Sequence, residues 1–168
     1  ATVRDADRIV VLERGRIVVD ETWAENVYDL EPDEVAGRVV LDLGANVGAF
    51  TLWAAAAGAK SVLAVEPAPG NVDRLVANLD LNKFPGSVRV LRVAVGDHSG
   101  EAQFTYDEAE PGGSHLGGSP GAVTVDLWTL ADLVRSVGGH VDVVKIDVEG
   151  GGADARTPAG AGGGPTLE

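Results

Sequence analysis

Leu41-Asp42-Leu43-Gly44-Ala45-Asn46-Val47-Gly48-Ala49-Phe50 runs from an apolar strand pattern through a glycine turn into a helix pattern. Val39 to Leu43 predict a short buried strand, and Gly44 and Gly48 bracket a turn whose backbone can approach a ligand without interference from Cβ atoms. Phe50 to Gly58 predict a helix whose first N–H groups face the same crevice. The next strand, Ser61 to Val65, is followed by Glu66. A carboxylate at that strand end has two oxygens with which to bridge a pair of ribose hydroxyls. A glycine turn followed by such an acid points to a nucleoside site.

The turn departs from the dinucleotide fingerprint G-x-G-x-x-G, because Asn46 stands where the middle glycine lets pyrophosphate sit against the backbone. Asn tolerates a left-handed turn conformation, so the turn itself survives. Asp42, two residues before Gly44, repels phosphate and can receive an ammonium group, directly or through water. S-adenosylmethionine combines an ammonium group and a ribose diol with no phosphate.

With these motifs the chain resembles the FkbM-type family of S-adenosylmethionine-dependent methyltransferases, within the Rossmann-like class. The resemblance runs through Trp23-Ala24-Glu25-Asn26-Val27-Tyr28, Val40 to Gly48, Val65-Glu66-Pro67 and Asn71 to Asn82. It continues through Ala94-Val95-Gly96-Asp97, Gly112-Gly113-Ser114, Val125 to Leu133 and Val144-Lys145-Ile146-Asp147-Val148-Glu149-Gly150. It implies methyl transfer from S-adenosylmethionine to a hydroxyl oxygen of a small molecule or a glycan. The cofactor-binding candidates are Asp42, Gly44, Ala45, Asn46, Gly48, Glu66, Pro67 and Asp97.

Composition narrows the partners. The chain has 168 residues, 45% of them apolar, enough for one core. A net charge of −13 argues against a nucleic-acid partner, which calls for a basic face. There is no cysteine, and the three histidines, His98, His115 and His140, show no metal-ligand spacing. No apolar run approaches ~20 residues and no leader pattern opens the chain, so a soluble, cytoplasmic protein without membrane partners is expected. The chain contains no Met, so it is expected to begin at a fragment boundary or a processed end.

The expected architecture is α/β: a Rossmann-like, mostly parallel sheet with flanking helices and an N-terminal β-hairpin. Ile9 to Leu12 and Ile17 to Val19 flank Glu13-Arg14-Gly15-Arg16 as the hairpin, within a cap segment over 1–37. The cofactor-binding core covers 38–150. Within it, Asn71 caps a helix to Leu81 with a Leu75/Val76/Leu79 apolar face, and Val88 to Val95 form a third core strand. Gly96 to Gly100 make a turn, and the alternating Glu101 to Tyr106 form an antiparallel strand. Asp107 to Gly121 read as a long glycine-rich loop able to close over an acceptor. Ala122 to Val125 return as a strand, Thr129 to Val137 form a helix, and Val141 to Ile146 form a buried parallel strand ending at Asp147.

After Gly150 the family-like pattern stops. The residues over 151–168 are rich in glycine, alanine and proline and are expected to be disordered, with the C-terminal strands of the full fold missing. Val141 to Ile146 then become an exposed edge, a route to self-association.

Asp147 and Glu149 are the candidates for the base that deprotonates the acceptor, since ligands bind at the carboxyl ends of parallel strands. The neighbouring Lys145 can pair with one of them. Each candidate also has a structural reading: Asp42 as a cap of the turn, Glu66 as a solvated strand-end acid, Asp97 as a turn residue rather than an adenine contact. Asp147 reads equally as a backbone partner, Glu149 as a solvated acid, and His115, a further candidate base in the glycine-rich loop, as an exposed loop residue. Trp23 and Tyr28 line the acceptor pocket or pack on the sheet, while Trp53 and Trp128 belong to the core. Two alternatives remain, a truncated non-catalytic fragment and a nicotinamide-dependent oxidoreductase; Asp42 and Asn46 count against the second.

Overall fold

The computed structural model describes residues 11–13, 16–18, 30–82, 84, 86–106, 115–118 and 121–148. At the N-terminal end, β1 (Val11–Glu13) pairs antiparallel with β2 (Arg16–Val18) as a hairpin, but Glu13 and Arg16, expected in the turn, are paired with each other in the strands. Trp23 and Tyr28, Glu149, most of the glycine-rich loop and the segment over 151–168 lie outside the described residues.

The centre is a parallel sheet of β3 (Val39–Leu43), β4 (Ser61–Val65), β5 (Ser87–Leu91) and β10 (Val143–Ile146), in the order β10-β3-β4-β5. β3 and β4 are almost entirely buried, as expected of strands covered on both faces. Alternation sends Val40 and Val62 to one face, against α1 (Pro32–Val35) and α2 (Ala49–Ala56). Ala64 meets α3 (Pro69–Asp80) on that same face. Leu41, Leu43, Leu63 and Val65 face the other way, against Leu133 of α4 (Leu130–Ser136). Helices of this length are marginal alone, so packing on the sheet holds them. The result is a Rossmann-like α/β fold with a mostly parallel central sheet.

A second sheet has the order β6-β9-β7-β8, with β6 (Val93–Gly96), β7 (Gly100–Thr105), β8 (His115–Leu116) and β9 (Val123–Thr129). Here the expectation of one strand over Val88 to Val95 is corrected. The ladder stops at Leu91, and Val93 begins a strand of the other sheet, paired in parallel with β9. β7 is antiparallel, but its partners are β9 and β8 rather than β6. Part of the long loop is therefore a strand, and the strand read as Ala122 to Val125 extends to Thr129. That strand runs directly into α4, whose first turn is closed by Thr129 and Asp132, each side chain accepting the other's backbone N–H at 3.1 Å.

Three further expectations change. Helix α3 begins at Pro69, so Asn71 lies inside it and does not cap it. Its apolar face is Leu75 and Leu79, while Val76 is exposed. Strand β10 is not buried throughout: Lys145 is its buried residue, and Val144 and Ile146 are exposed. Among the described residues β10 forms the edge of the parallel sheet. Trp53 is in the core as expected, and Trp128 packs partly buried against it. No helix among the described residues is long and apolar enough to cross a membrane.

Candidate active site

The turn after β3 is left-handed at three positions, with φ of +75° at Gly44, +50° at Asn46 and +95° at Gly48. Asn46 thus takes the conformation that its side chain tolerates best after glycine. The N–H groups of Gly44 and Ala45 both donate to the carbonyl of Val65, which ties the turn to the end of β4. A Cβ on Gly44 would lie 1.9 Å from the carbonyl oxygen of Asp147. Glycine is needed here so that the ends of β3 and β10 can close on each other. Gly48 is equally constrained, since its Cβ would meet Leu75 at 2.1 Å.

Glu66 is 5% exposed and held by three donors. Its Oε2 accepts from the Asn46 N–H at 2.9 Å, and its Oε1 accepts from the Ala68 N–H at 3.0 Å and from Asn71 Nδ2 at 3.2 Å. Burial raises its pKa above the ordinary carboxylate value, against the lowering effect of these three donors. The acid and the glycine turn are therefore one hydrogen-bonded unit.

Asp42 has a different setting from the one its sequence position suggests. It is fully buried, facing α2, where Thr51 Oγ1 donates to its Oδ2 at 2.6 Å. The parallel register sets Lys145 of β10 opposite Asp42, and the Lys145 Nζ lies 3.1 Å from Asp42 Oδ1. The ammonium group that Asp42 receives is the protein's own. Lys145 also donates to the carbonyl of Gly44 at 2.7 Å and lies 3.8 Å from Asp147 Oδ2. Burial raises the Asp42 pKa, opposed chiefly by the Lys145 charge.

A pocket opens over the carboxyl ends of β3, β4 and β10. Gly44, Asn46, Glu66, Pro67, Asn71 and Asp147 line its polar side, and Val93, Ala94, Val95, Phe104 and Leu116 of the second sheet line the other. Of the candidates read from the sequence, Gly44, Asn46, Glu66, Pro67 and Asp147 thus share one cavity. Asp42 stands beneath it, and Ala45 and Gly48 are buried in the turn that frames it. Asp97 is outside: its side chain is 95% exposed, and His98 Nδ1 at 2.6 Å takes up the carboxylate and lowers its pKa. It is a turn residue in this fold. No group of His, Cys, Asp and Glu suited to a metal ion occurs among the described residues.

Two site residues went unread in the sequence. Asn71 has the sequence position of a cap, but its side chain reaches Glu66 instead. Asn78, fully buried, donates to the carbonyl of Val47 at 2.9 Å and pins the turn from α3. The signal was present, because Asn71, Leu75 and Asn78 follow the spacing of a buried helix stripe, where an amide has to find a partner. Chemically, the described lining offers two carboxylates, Glu66 and Asp147, and two amides, Asn46 and Asn71, but no Lys or Arg. Such a set suits a ligand with hydroxyls and positive charge and disfavours phosphate.

A strand, a glycine turn, a helix and an acid ending the next strand are the arrangement of a domain of the Rossmann-like class. Residues 42–155 match the model of the methyltransferase FkbM domain. The chain belongs to that family. It is 31% identical over 145 residues to hexuronic acid methyltransferase AglP of Haloferax volcanii, covering 79% of this chain and 57% of that protein. It is 26% identical to methyltransferase sdnD of Sordaria araneosa, covering 87% of this chain and 71% of that one. The chain thus spans little more than half the length of the first of these relatives. Among solved structures, an S-adenosylmethionine-dependent methyltransferase from Mesorhizobium loti matches 43% of this chain and 31% of its own, at 25% identity and a TM-score of 0.32.

Proposed function

We propose that this chain binds S-adenosylmethionine and methylates a hydroxyl group of a small molecule or glycan. The observation that carries the reading is the buried Glu66 carboxylate, bonded to the Asn46 N–H of the glycine turn and facing the same pocket as Asp147. The family supports methyl transfer, and the acidic, cation-free described lining fits a phosphate-free cationic cofactor. When bound, that cofactor supplies a methyl group on a positively charged sulfur.

The chain's own residues divide the remaining work. Glu66 takes the ribose, and the glycine turn allows close approach. In this reading Asp147, at the end of β10 and 59% exposed, receives the proton of the acceptor hydroxyl. Glu149 is the second candidate base and lies outside the described residues. A base adds ~10²–10⁴-fold, and holding acceptor and methyl in line contributes the larger share. The hexuronic acid methyltransferase relative supports a sugar as the acceptor class.

Calorimetric titration with S-adenosylhomocysteine tests the reading. Binding by the wild-type chain that disappears in Glu66→Ala supports it; no binding by a chain with a cooperative thermal transition refutes it.

A further inference from the structure

Taken with the cofactor reading on which it rests, the geometry around Glu66 points to Asn71 as a second ribose ligand. Three of the four lone-pair sites of the Glu66 carboxylate are taken by Asn46, Ala68 and Asn71. Oε1 carries two of these donors and is saturated. Oε2 keeps one site. A carboxylate held in this way receives one hydroxyl of a vicinal diol and not both.

The second hydroxyl needs another partner within reach, and Asn71 supplies it. Its amide lines the same pocket as Glu66. One Nδ2 hydrogen is used on Glu66 Oε1, and an amide NH₂ has two. Arg74 Nη1 donates to Asn71 Oδ1 at 3.4 Å, which fixes the amide with its nitrogen toward Glu66. We infer that one ribose hydroxyl donates to Glu66 Oε2 while its neighbour accepts from Asn71 Nδ2. Diol recognition is then shared between a strand-end acid and the first turn of the following helix. An acceptor and a donor side by side demand that both hydroxyls be present.

The test uses the full chain and calorimetric titration with S-adenosylhomocysteine and its 2′-deoxy and 3′-deoxy analogues. Asn71→Ala removes the donor, and Asn71→Leu keeps about the same volume while removing both N–H groups without adding a charge beside Glu66. Both variants are expected to bind S-adenosylhomocysteine about tenfold more weakly, equivalent to ~1.4 kcal/mol. One deoxy analogue is expected to bind the wild type more weakly and to lose nothing further in Asn71→Ala. The inference is overturned if Asn71→Ala binds S-adenosylhomocysteine like the wild type. It is also overturned if the variant loses the same factor for all three ligands, which marks a purely structural role. Failure of the folded wild-type chain to bind S-adenosylhomocysteine overturns the methyltransferase reading itself, and this inference with it.

Discussion

Lys145 and Asp42 form an ion pair at 3.1 Å beneath the glycine turn, with side chains 6% and 0% exposed. Because Lys145 also holds the Gly44 carbonyl, one ammonium group joins the edge strand β10 to the turn that frames the pocket. Removing one member of a buried pair strands the other charge, at a cost of about 3–5 kcal/mol. Lys145→Met is therefore expected to lose about that much stability in urea titration. The double variant Asp42→Asn with Lys145→Met is expected to recover most of it, since no charge remains buried. A loss as large in the double variant as in the single one would assign the effect to the Gly44 contact instead.

Gly44 and Gly58 separate two reasons for glycine. Both have positive φ, but a Cβ on Gly58 meets nothing within 4 Å, whereas on Gly44 it strikes the Asp147 carbonyl. Gly58→Ala is expected to cost about 1–2 kcal/mol from the left-handed backbone alone. Gly44→Ala should cost more and also abolish binding of S-adenosylhomocysteine, because β10 must move away. Denaturant titration and calorimetry on the two variants check the contrast.

What could be read in the sequence followed from local rules. Val39 to Leu43 and Ser61 to Val65 carry strand signals bounded by turn residues, and the structure gives both strands those limits. The split at Arg92 was invisible, because Val88, Val90, Val93 and Val95 look like one apolar strand until tertiary pairing assigns them to two sheets. Asp42 shows the same limit at the site. Its place before the glycine turn suggested an outside ammonium, and only the parallel register of a strand about 100 residues later reveals Lys145 as the partner. Long-range register carries no local signature. Asn71 and Asn78 were readable from helix spacing, but their partners were not.

The raised pKa of Glu66 sets a pH dependence. Burial disfavours the ionised form, so in the folded chain the carboxyl takes up its proton above its ordinary value of 4.5. The protonated folded state binds more protons than the unfolded chain between the two values. Stability from this group is therefore highest at low pH and falls as pH rises from 4.5 through the raised value. Under the proposed cofactor reading ribose binding runs the opposite way, since the carboxylate is a stronger acceptor for a hydroxyl at Oε2 than the protonated acid. S-adenosylhomocysteine affinity is expected to weaken on acidification already above pH 4.5, and Glu66→Gln should flatten that profile while binding more weakly throughout. A profile unchanged by Glu66→Gln would move the titrating group elsewhere, with the buried Asp42, also raised, as the first alternative.

At the sheet edge, Val144 and Ile146 of β10 are 42% and 63% exposed and Val148, just beyond it, is 48% exposed, and the outer side of β10 has no paired neighbour among the described residues. Burying a side chain of this kind is worth about 1.5–3 kcal/mol, and an open strand edge offers backbone groups for a second chain to pair with. Self-association of this chain is the expected result, growing with concentration in light scattering. Ile146→Lys puts a charge on the exposed face, which is how natural edges resist pairing, and it alters neither Lys145 nor Asp147. The variant should scatter as a smaller species while retaining its thermal transition. If the wild-type chain is monodisperse and monomeric at every concentration, the edge is covered and the expectation fails; if Ile146→Lys still associates, the contact lies on another surface.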